Sequence, residues 1–177
     1  ALFGYGQFNQ SSVSNSAKAL YYFSFGLPAF AMIKVFSSFF FANHDTKTPF
    51  YISLISVLLN ILISIYYFKI IGFIIIPIAT SISSWFNLIL LFLFLKKREL
   101  FDFNKIFITR FFKILFSSIL MGVFFNYIII FFEDQLYFTN SLKFIYLIIS
   151  VIISIGFYLL VSYLIKAFKL EDIKLKY

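Results

Sequence analysis

The chain has 177 residues and no cysteine, with 62% hydrophobic, 24% aromatic and only 12% charged residues, and its mean hydropathy is +0.98. Soluble domains carry about a quarter charged residues, so the composition excludes a soluble fold and predicts an all-α, polytopic integral membrane protein. The missing cysteine excludes disulfide frameworks, thiolate catalysis and cysteine metal sites. The net charge of +8 would suggest nucleic acid in a soluble chain. Here it collects at the ends of apolar runs, where Lys and Arg set topology and meet lipid phosphates, so nucleic acid is not an expected partner.

Residues 1–16 read as a periplasmic connector. Segment 1–8 is too short and too glycine-broken to be a span or a signal peptide, and the Ser- and Asn-rich run 8–16 offers Ser14 or Ser16 as a helix cap. Because Ala1 is not preceded by Met, a missing amino-terminal part is expected. The first span is 17–42, longer than the roughly 20 residues a crossing helix needs. Gly26 and Pro28 predict a kink in it, since Pro28 removes a backbone hydrogen bond and clashes one turn back. Asn43-His44-Asp45-Thr46-Lys47-Thr48-Pro49 is a tight hairpin, with Thr48 as cap of the second span and Pro49 in its first turn. The second span, 49–68, leads through the short turn 69–72 into the third, 73–95, which must lie antiparallel beside it. Lys96-Lys97-Arg98 marks an interface and opens a cytoplasmic linker, 96–105. The fourth and fifth spans are 106–132 and 141–168, joined by a loop with Glu133-Asp134-Gln135, Thr139 and Asn140. Arg110 and Lys113 are placed to snorkel toward lipid phosphates, and 169–177 is a charged tail.

Lys47, Lys96, Lys97, Arg98, Lys105, Arg110, Lys113, Lys166, Lys169, Lys174 and Lys176 fall on one side of these five spans. Lys18, Lys69 and Lys143 fall on the other, with Glu133 and Asp134. By the positive-inside rule the first side is cytoplasmic, which puts the carboxyl terminus inside and the first residues outside.

Two polar stripes cross the membrane. Ser53, Ser56, Asn60 and Ser64 share one face of the second span, and Pro77, Thr80, Ser84 and Asn87 share one face of the third. One reading is helix packing through interhelical hydrogen bonds. The other is a weak cation site, because Pro77 cannot donate to the carbonyl of Phe73 and frees backbone oxygen near Thr80. Lys34 lies about four residues past the middle of its span, roughly 6 Å along the axis, and burying it in lipid would cost on the order of 3 kcal/mol. It therefore faces a cavity, a partner or the interface, with Ala31 and Ser38 on the same side; the readings are snorkelling and the handling of an anionic substrate in a hydrated cavity. His44 reads as a solvated loop residue. Ser118, Gly122 and Asn126, and Ser150 and Ser154, read as small-residue packing faces, and Trp85 as lipid-facing bulk or an interfacial anchor. No carboxylate lies inside a span, so no catalytic or metal-binding residue is expected, and a self-contained proton relay is excluded.

Leu2-Phe3-Gly4-Tyr5-Gly6-Gln7-Phe8, Gly26-Leu27-Pro28-Ala29-Phe30 leading to Lys34-Val35, Asp45-Thr46-Lys47-Thr48-Pro49, and Ala79-Thr80-Ser81 with Trp85 and Asn87 resemble the carboxyl-terminal portion of the bacterial lipid II flippase family, MurJ or MviN. The hairpin motif is the most specific of these, and the last two spans match in character only. The resemblance implies a fold of fourteen helices in the superfamily of multidrug exporters and polysaccharide flippases, with the spans here as helices ten to fourteen. The last two would be an added pair lining a groove for the undecaprenyl tail. It implies movement of undecaprenyl-linked disaccharide-pentapeptide across the inner membrane by alternating access, with lipid II, membrane lipids and the preceding half of the protein as partners. It also implies a sodium site that falls on Asn60, Ser64, the carbonyl of Ile76 and Thr80, and no other cofactor. Ser64 departs from the carboxylate or Asn usual there, and an acidic ligand and the cavity arginines would lie outside this chain. Alternatives are a flippase for another polyprenyl-linked saccharide and a structural membrane subunit. A polyprenyl-phosphate glycosyltransferase would need larger loops than these.

Overall fold

The computed structural model describes residues 10–99, 105–136 and 142–167. The motif at 2–8, linker positions 100–104, Thr139, Asn140, Phe168 and the tail 169–177 lie outside the described residues. Every regular element among those described is helical: α1 (Gln10–Ser24), α2 (Leu27–Ala42), α3 (Lys47–Ile71), a 3-10 turn (Gly72–Ile74), α4 (Ile75–Lys97), α5 (Lys105–Phe131) and α6 (Lys143–Leu164). The described residues form two compact units, one holding residues 10–99 and the other residues 105–136 and 142–167.

Four helical stretches are long and apolar enough to cross a membrane: Ser11–Ala42, Lys47–Lys97, Ile108–Phe131 and Lys143–Leu164. The second runs over 51 residues, about 76 Å if it were straight, more than twice a hydrocarbon core of about 30 Å. Gly72 folds it back on itself. Its φ of 72° and ψ of −153° lie in a region open only to glycine, and α3 and α4 each become one pass. The multi-pass, all-α membrane fold expected from composition is therefore present.

In the first unit α4 is the central helix. Asn60 on α3 meets Thr80 and Ser83, while Ser53 meets Asn87, so α3 and α4 are antiparallel. Tyr22, Phe25, Phe36 and Phe40 meet Ser81, Trp85, Phe92 and Arg98 in the same order, so α1 and α2 run parallel to α4. The buried cluster is Ala29, Phe36, Phe40, Ile52, Leu88, Leu91 and Leu95. Lipid tails are as apolar as these side chains, so close packing and interhelical hydrogen bonds hold the helices together, not exclusion from water.

The kink expected at Gly26 and Pro28 is a full break between α1 and α2. Two carbonyls exposed there are claimed by α4, that of Tyr22 by the Ser81 hydroxyl at 2.7 Å and that of Phe25 by Trp85 Nε1 at 2.9 Å. Trp85 is thus a brace as well as an exposed aromatic. The elbow is close to α4, since a Cβ on Gly26 would sit 3.1 Å from Ser81 Oγ and 3.2 Å from Ser81 Cα, tighter than ordinary contact. Two further expectations fail here. Ser14 and Ser16 do not cap α1, because the helix already runs from Gln10. Pro77 opens no gap inside a helix, because it falls in the first turn of α4, where its absent N–H has no helical partner.

In the second unit α5 and α6 pair antiparallel: Lys113 lies against Lys166, Phe124 stacks on Phe157 at 4.1 Å, and Phe132 meets Tyr146. Ser150 and Ser154 are buried in the seam as expected. Ser118, Gly122 and Asn126 are exposed instead, and a Cβ on Gly122 would meet nothing within 4 Å. The seam residue of α5 is Ser117, fully buried and one position, hence about 100°, around the helix from the expected face. Lys113 Nζ reaches the carbonyl of Lys166 at 3.5 Å, near the orphan carbonyls that close α6.

Candidate functional site

The two polar stripes face each other across α3 and α4. Asn60 Nδ2 donates to Thr80 Oγ1 and to Ser83 Oγ, both at 3.2 Å, and Ser64 Oγ donates to Asn60 Oδ1 at 3.3 Å. Thr80 Oγ1 donates in turn to the carbonyl of Ile76 at 2.8 Å. Asn60, Ser64, Thr80 and the Ile76 carbonyl therefore form one hydrogen-bonded chain. The oxygen near Thr80 belongs to Ile76 and is engaged by that hydroxyl, so Pro77 is not its source. One turn and more along, Asn87 Nδ2 approaches Ser53 Oγ at 3.4 Å. Beside them runs an open, largely apolar groove of about 440 Å³, in which Phe30, Ile33, Val57 and Ile61 share the lining with Asn60, Thr80 and neighbouring serines. Amide, hydroxyl and carbonyl oxygens, all neutral, are a donor set suited to a weakly held hard cation. They offer nothing to a soft metal, and no group of three or more His, Cys, Asp or Glu side chains is placed to hold a metal among the described residues.

Lys34 is exposed on α2, on the side opposite the buried stripe Ala29, Phe36 and Phe40, and Ala31 and Ser38 are exposed with it. No hydrogen bond or ion pair engages it among the described residues. Lys34 with Ala31 and Ser38 sits between the exposed Leu27 and Phe41 on a face the first unit leaves open.

The hairpin between α2 and α3 is a stacked pair of caps. His44 takes a left-handed φ of 57° while its N–H and that of Asp45 bond back to the carbonyls of Phe41 and Phe40, which closes α2 in a Schellman motif. The single histidine is exposed, as expected, and its backbone ends the helix. Asp45 then caps α3: its carboxylate accepts the Thr48 N–H at 3.0 Å and the Thr48 hydroxyl at 2.6 Å. Thr48 therefore receives the cap it was expected to supply, and Pro49 lies in the first turn. Arg98, at the end of α4, pairs with Asp45, donates to Thr48 Oγ1 at 3.0 Å and lies 6.0 Å over the Phe40 ring. The two Thr48 bonds hold the Asp45 carboxyl down at about 2 from an ordinary 3.8 against the opposing push of desolvation, with lesser help from Arg98.

Sequence reasoning missed Ser83 and Arg98. Ser81, Ser83 and Ser84 fan around α4 toward different neighbours, Ser81 to the Tyr22 carbonyl, Ser83 to Asn60 and Ser84 toward Gly26. A helix with small polar residues on several sides is a central helix, and that signal was available. Arg98 reads as one of three basic interfacial residues; only the fold sets it against Asp45.

The family described as Lipid II flippase MurJ matches residues 1–148. A probable lipid II flippase MurJ of Thermotoga maritima is 32% identical over 176 residues, covering 97% of this chain and 33% of that protein. Proteins of the same description from Rickettsia prowazekii and from Buchnera aphidicola of Acyrthosiphon pisum are 37% and 40% identical over 94 and 93 residues, covering 53% and 51% of this chain. The chain spans 18% of each of those two relatives. On the match over residues 1–148, this chain belongs to the MurJ family.

Proposed function

We propose that the chain is a part of a lipid II flippase, which moves undecaprenyl-linked peptidoglycan precursor across the bacterial inner membrane by alternating access and performs no covalent chemistry. Family membership supports the substrate class. The observation within the chain that carries the reading is the exposed Lys34 face of α2, a cation at membrane depth left open by its own unit. A charge there needs water or a counter-charge, and a lipid-linked pyrophosphate supplies the second. The basic residues at the α2–α3 hairpin, the end of α4 and the start of α5 support a cytoplasmic carboxyl terminus. The Asn60, Ser64, Ile76 and Thr80 oxygens support sodium as coupling ion, and a carboxylate from another part of the protein would strengthen so neutral a set.

The test is Lys34→Ala in the full-length protein, assayed for lipid II translocation in proteoliposomes at matched protein content. Flux should fall about ten-fold or more, the equivalent of one charge-assisted contact. Undiminished flux refutes the role of Lys34.

A further inference from the structure

We propose that the open groove at the start of α5 binds an anionic phospholipid of the phosphatidylglycerol type, with its phosphate on Lys113 and one acyl chain along the helix. The groove, of about 560 Å³, lies within the second unit. α5 lines it between Ile108 and Ile119 and α6 at Ile165, with apolar side chains except Thr109 and Lys113. Ile108 opens the membrane-crossing stretch of α5, and from there to Ile119 is about 16 Å of helix, close to half of a hydrocarbon core of about 30 Å. The groove therefore matches an acyl chain in one leaflet and is too short for an undecaprenyl chain.

Charge decides the headgroup. Lys113 lies about 7 Å inside the crossing stretch, and its Nζ turns to the carbonyl of Lys166 at 3.5 Å, at the left-handed turn, φ 54°, that closes α6. The ammonium is thereby held at the polar end of the groove with two further N–H donors. A charge at that depth needs water or a counter-charge. Among the described residues of this unit, Lys105, Arg110, Lys113 and Lys166 share this end, whereas the acids, Glu133 and Asp134, lie at the other end of α5. Such a cluster attracts a phosphodiester and repels the ammonium of an ethanolamine or choline head. Capping α6 occupies one donor of Lys113 and requires neither the apolar groove beside it nor the three further cations at the same end. Lys34 has no part in this site, which stands or falls apart from the lipid II reading.

The test uses the full-length protein in phosphatidylcholine vesicles carrying a trace of phosphatidylglycerol, or of phosphatidylcholine, with a diazirine at the end of one acyl chain. After photolysis, label on peptides covering 112–119 is compared with label at Ile152, an exposed residue midway along α6. Phosphatidylglycerol should label 112–119 about five-fold more than phosphatidylcholine, the effect of one lysine on an anionic lipid, and the two should label Ile152 alike. Lys113→Gln should bring the ratio near one, and Lys113→Arg should keep it. Equal labelling in the wild type, or a preference that survives Lys113→Gln, overturns the proposal. So does complete loss of the preference to an equal concentration of inorganic phosphate, which marks a free-anion site, or to an equal mole fraction of undecaprenyl phosphate, which marks a polyprenyl groove. Should the glutamine variant not fold, salt replaces it: the wild-type preference should shrink toward one as ionic strength rises, and a preference indifferent to salt overturns the proposal.

Discussion

Asn60→Leu separates helix packing from ion binding, the two readings of the polar stripes. The substitution keeps the number and branching of side-chain heavy atoms, and leucine is the bulkier of the two, so no cavity term enters. It deletes two interhelical hydrogen bonds, to Thr80 and Ser83, which in membrane helices average about 0.6 kcal/mol each. Neither of these hydroxyls is stranded, because Thr80 still donates to the Ile76 carbonyl and Ser83 to its own helix; the Ser64 hydroxyl loses Asn60 Oδ1 as acceptor, and a serine in a helix can turn to a carbonyl one turn back instead. Without sodium the variant should therefore lose about 1 kcal/mol. If Asn60 also ligates sodium, the wild type gains a linkage term that the variant lacks, about 2.7 kcal/mol at a hundred times the dissociation constant. The gap between the two proteins should widen from about 1 to about 4 kcal/mol as sodium replaces choline at constant ionic strength. The assay is thermal unfolding of the full-length protein in detergent, with Thr80→Val in parallel. A gap that stays near 1 kcal/mol at every sodium concentration refutes the ion site and leaves packing as the whole role of Asn60.

Gly26→Ala should destabilise by about 1 kcal/mol: overpacking against Ser81 and Ser84 costs about 1–3 kcal/mol, and the gain from losing glycine's freedom is at most about 1 kcal/mol. Ser84→Ala in the same chain removes one of the contacts, at 3.2 Å, and should restore part of the loss; a raised melting temperature in the single variant would refute the close elbow. For Asp45, a carboxyl held at about 2 against an ordinary 3.8 contributes stability that is complete above the unfolded value and is lost as pH falls through the folded one. Wild-type melting temperature should be flat in this respect from pH 7 to about 5 and then fall toward pH 2 more steeply than that of Asp45→Asn. Parallel acid slopes would refute the Thr48 and Arg98 contacts.

The elements were legible because each rests on a local signal. Apolar runs about as long as a bilayer is thick, with a proline near the start of α2, α3 and α4, gave the helices to within about a turn, apart from α1, whose connector carries no strong breaker before it. The facing stripes were legible because the short turn at Gly72 leaves α3 and α4 no other arrangement. Failures came where neighbours decide. Ser117 and Ser118 are adjacent in sequence and equally small, and only the rotation of α5 against α6 selects the first. Asp45 and Thr48 are both good caps, and the αL turn at His44 brings the carboxylate, not the hydroxyl, to the helix start. Arg98 acquires its meaning from a residue 53 positions away.

The same logic explains why the Lys34 face and the α3–α4 groove of this unit stay separate. Ile33 and Phe30 of α2 line the α3–α4 groove, while Lys34, one residue on and about 100° around the helix, points away from it. Inside the groove its charge would be aimed at the oxygens of the Asn60 cluster and would compete with any cation there. On the outer face it is screened from them by the width of α2. Yet the helix is one rigid wall, pinned at its elbow by Ser81 and Trp85 and at its far end by the hairpin that Arg98 ties to α4. A displacement of α2 that changes the groove must move Lys34 with it.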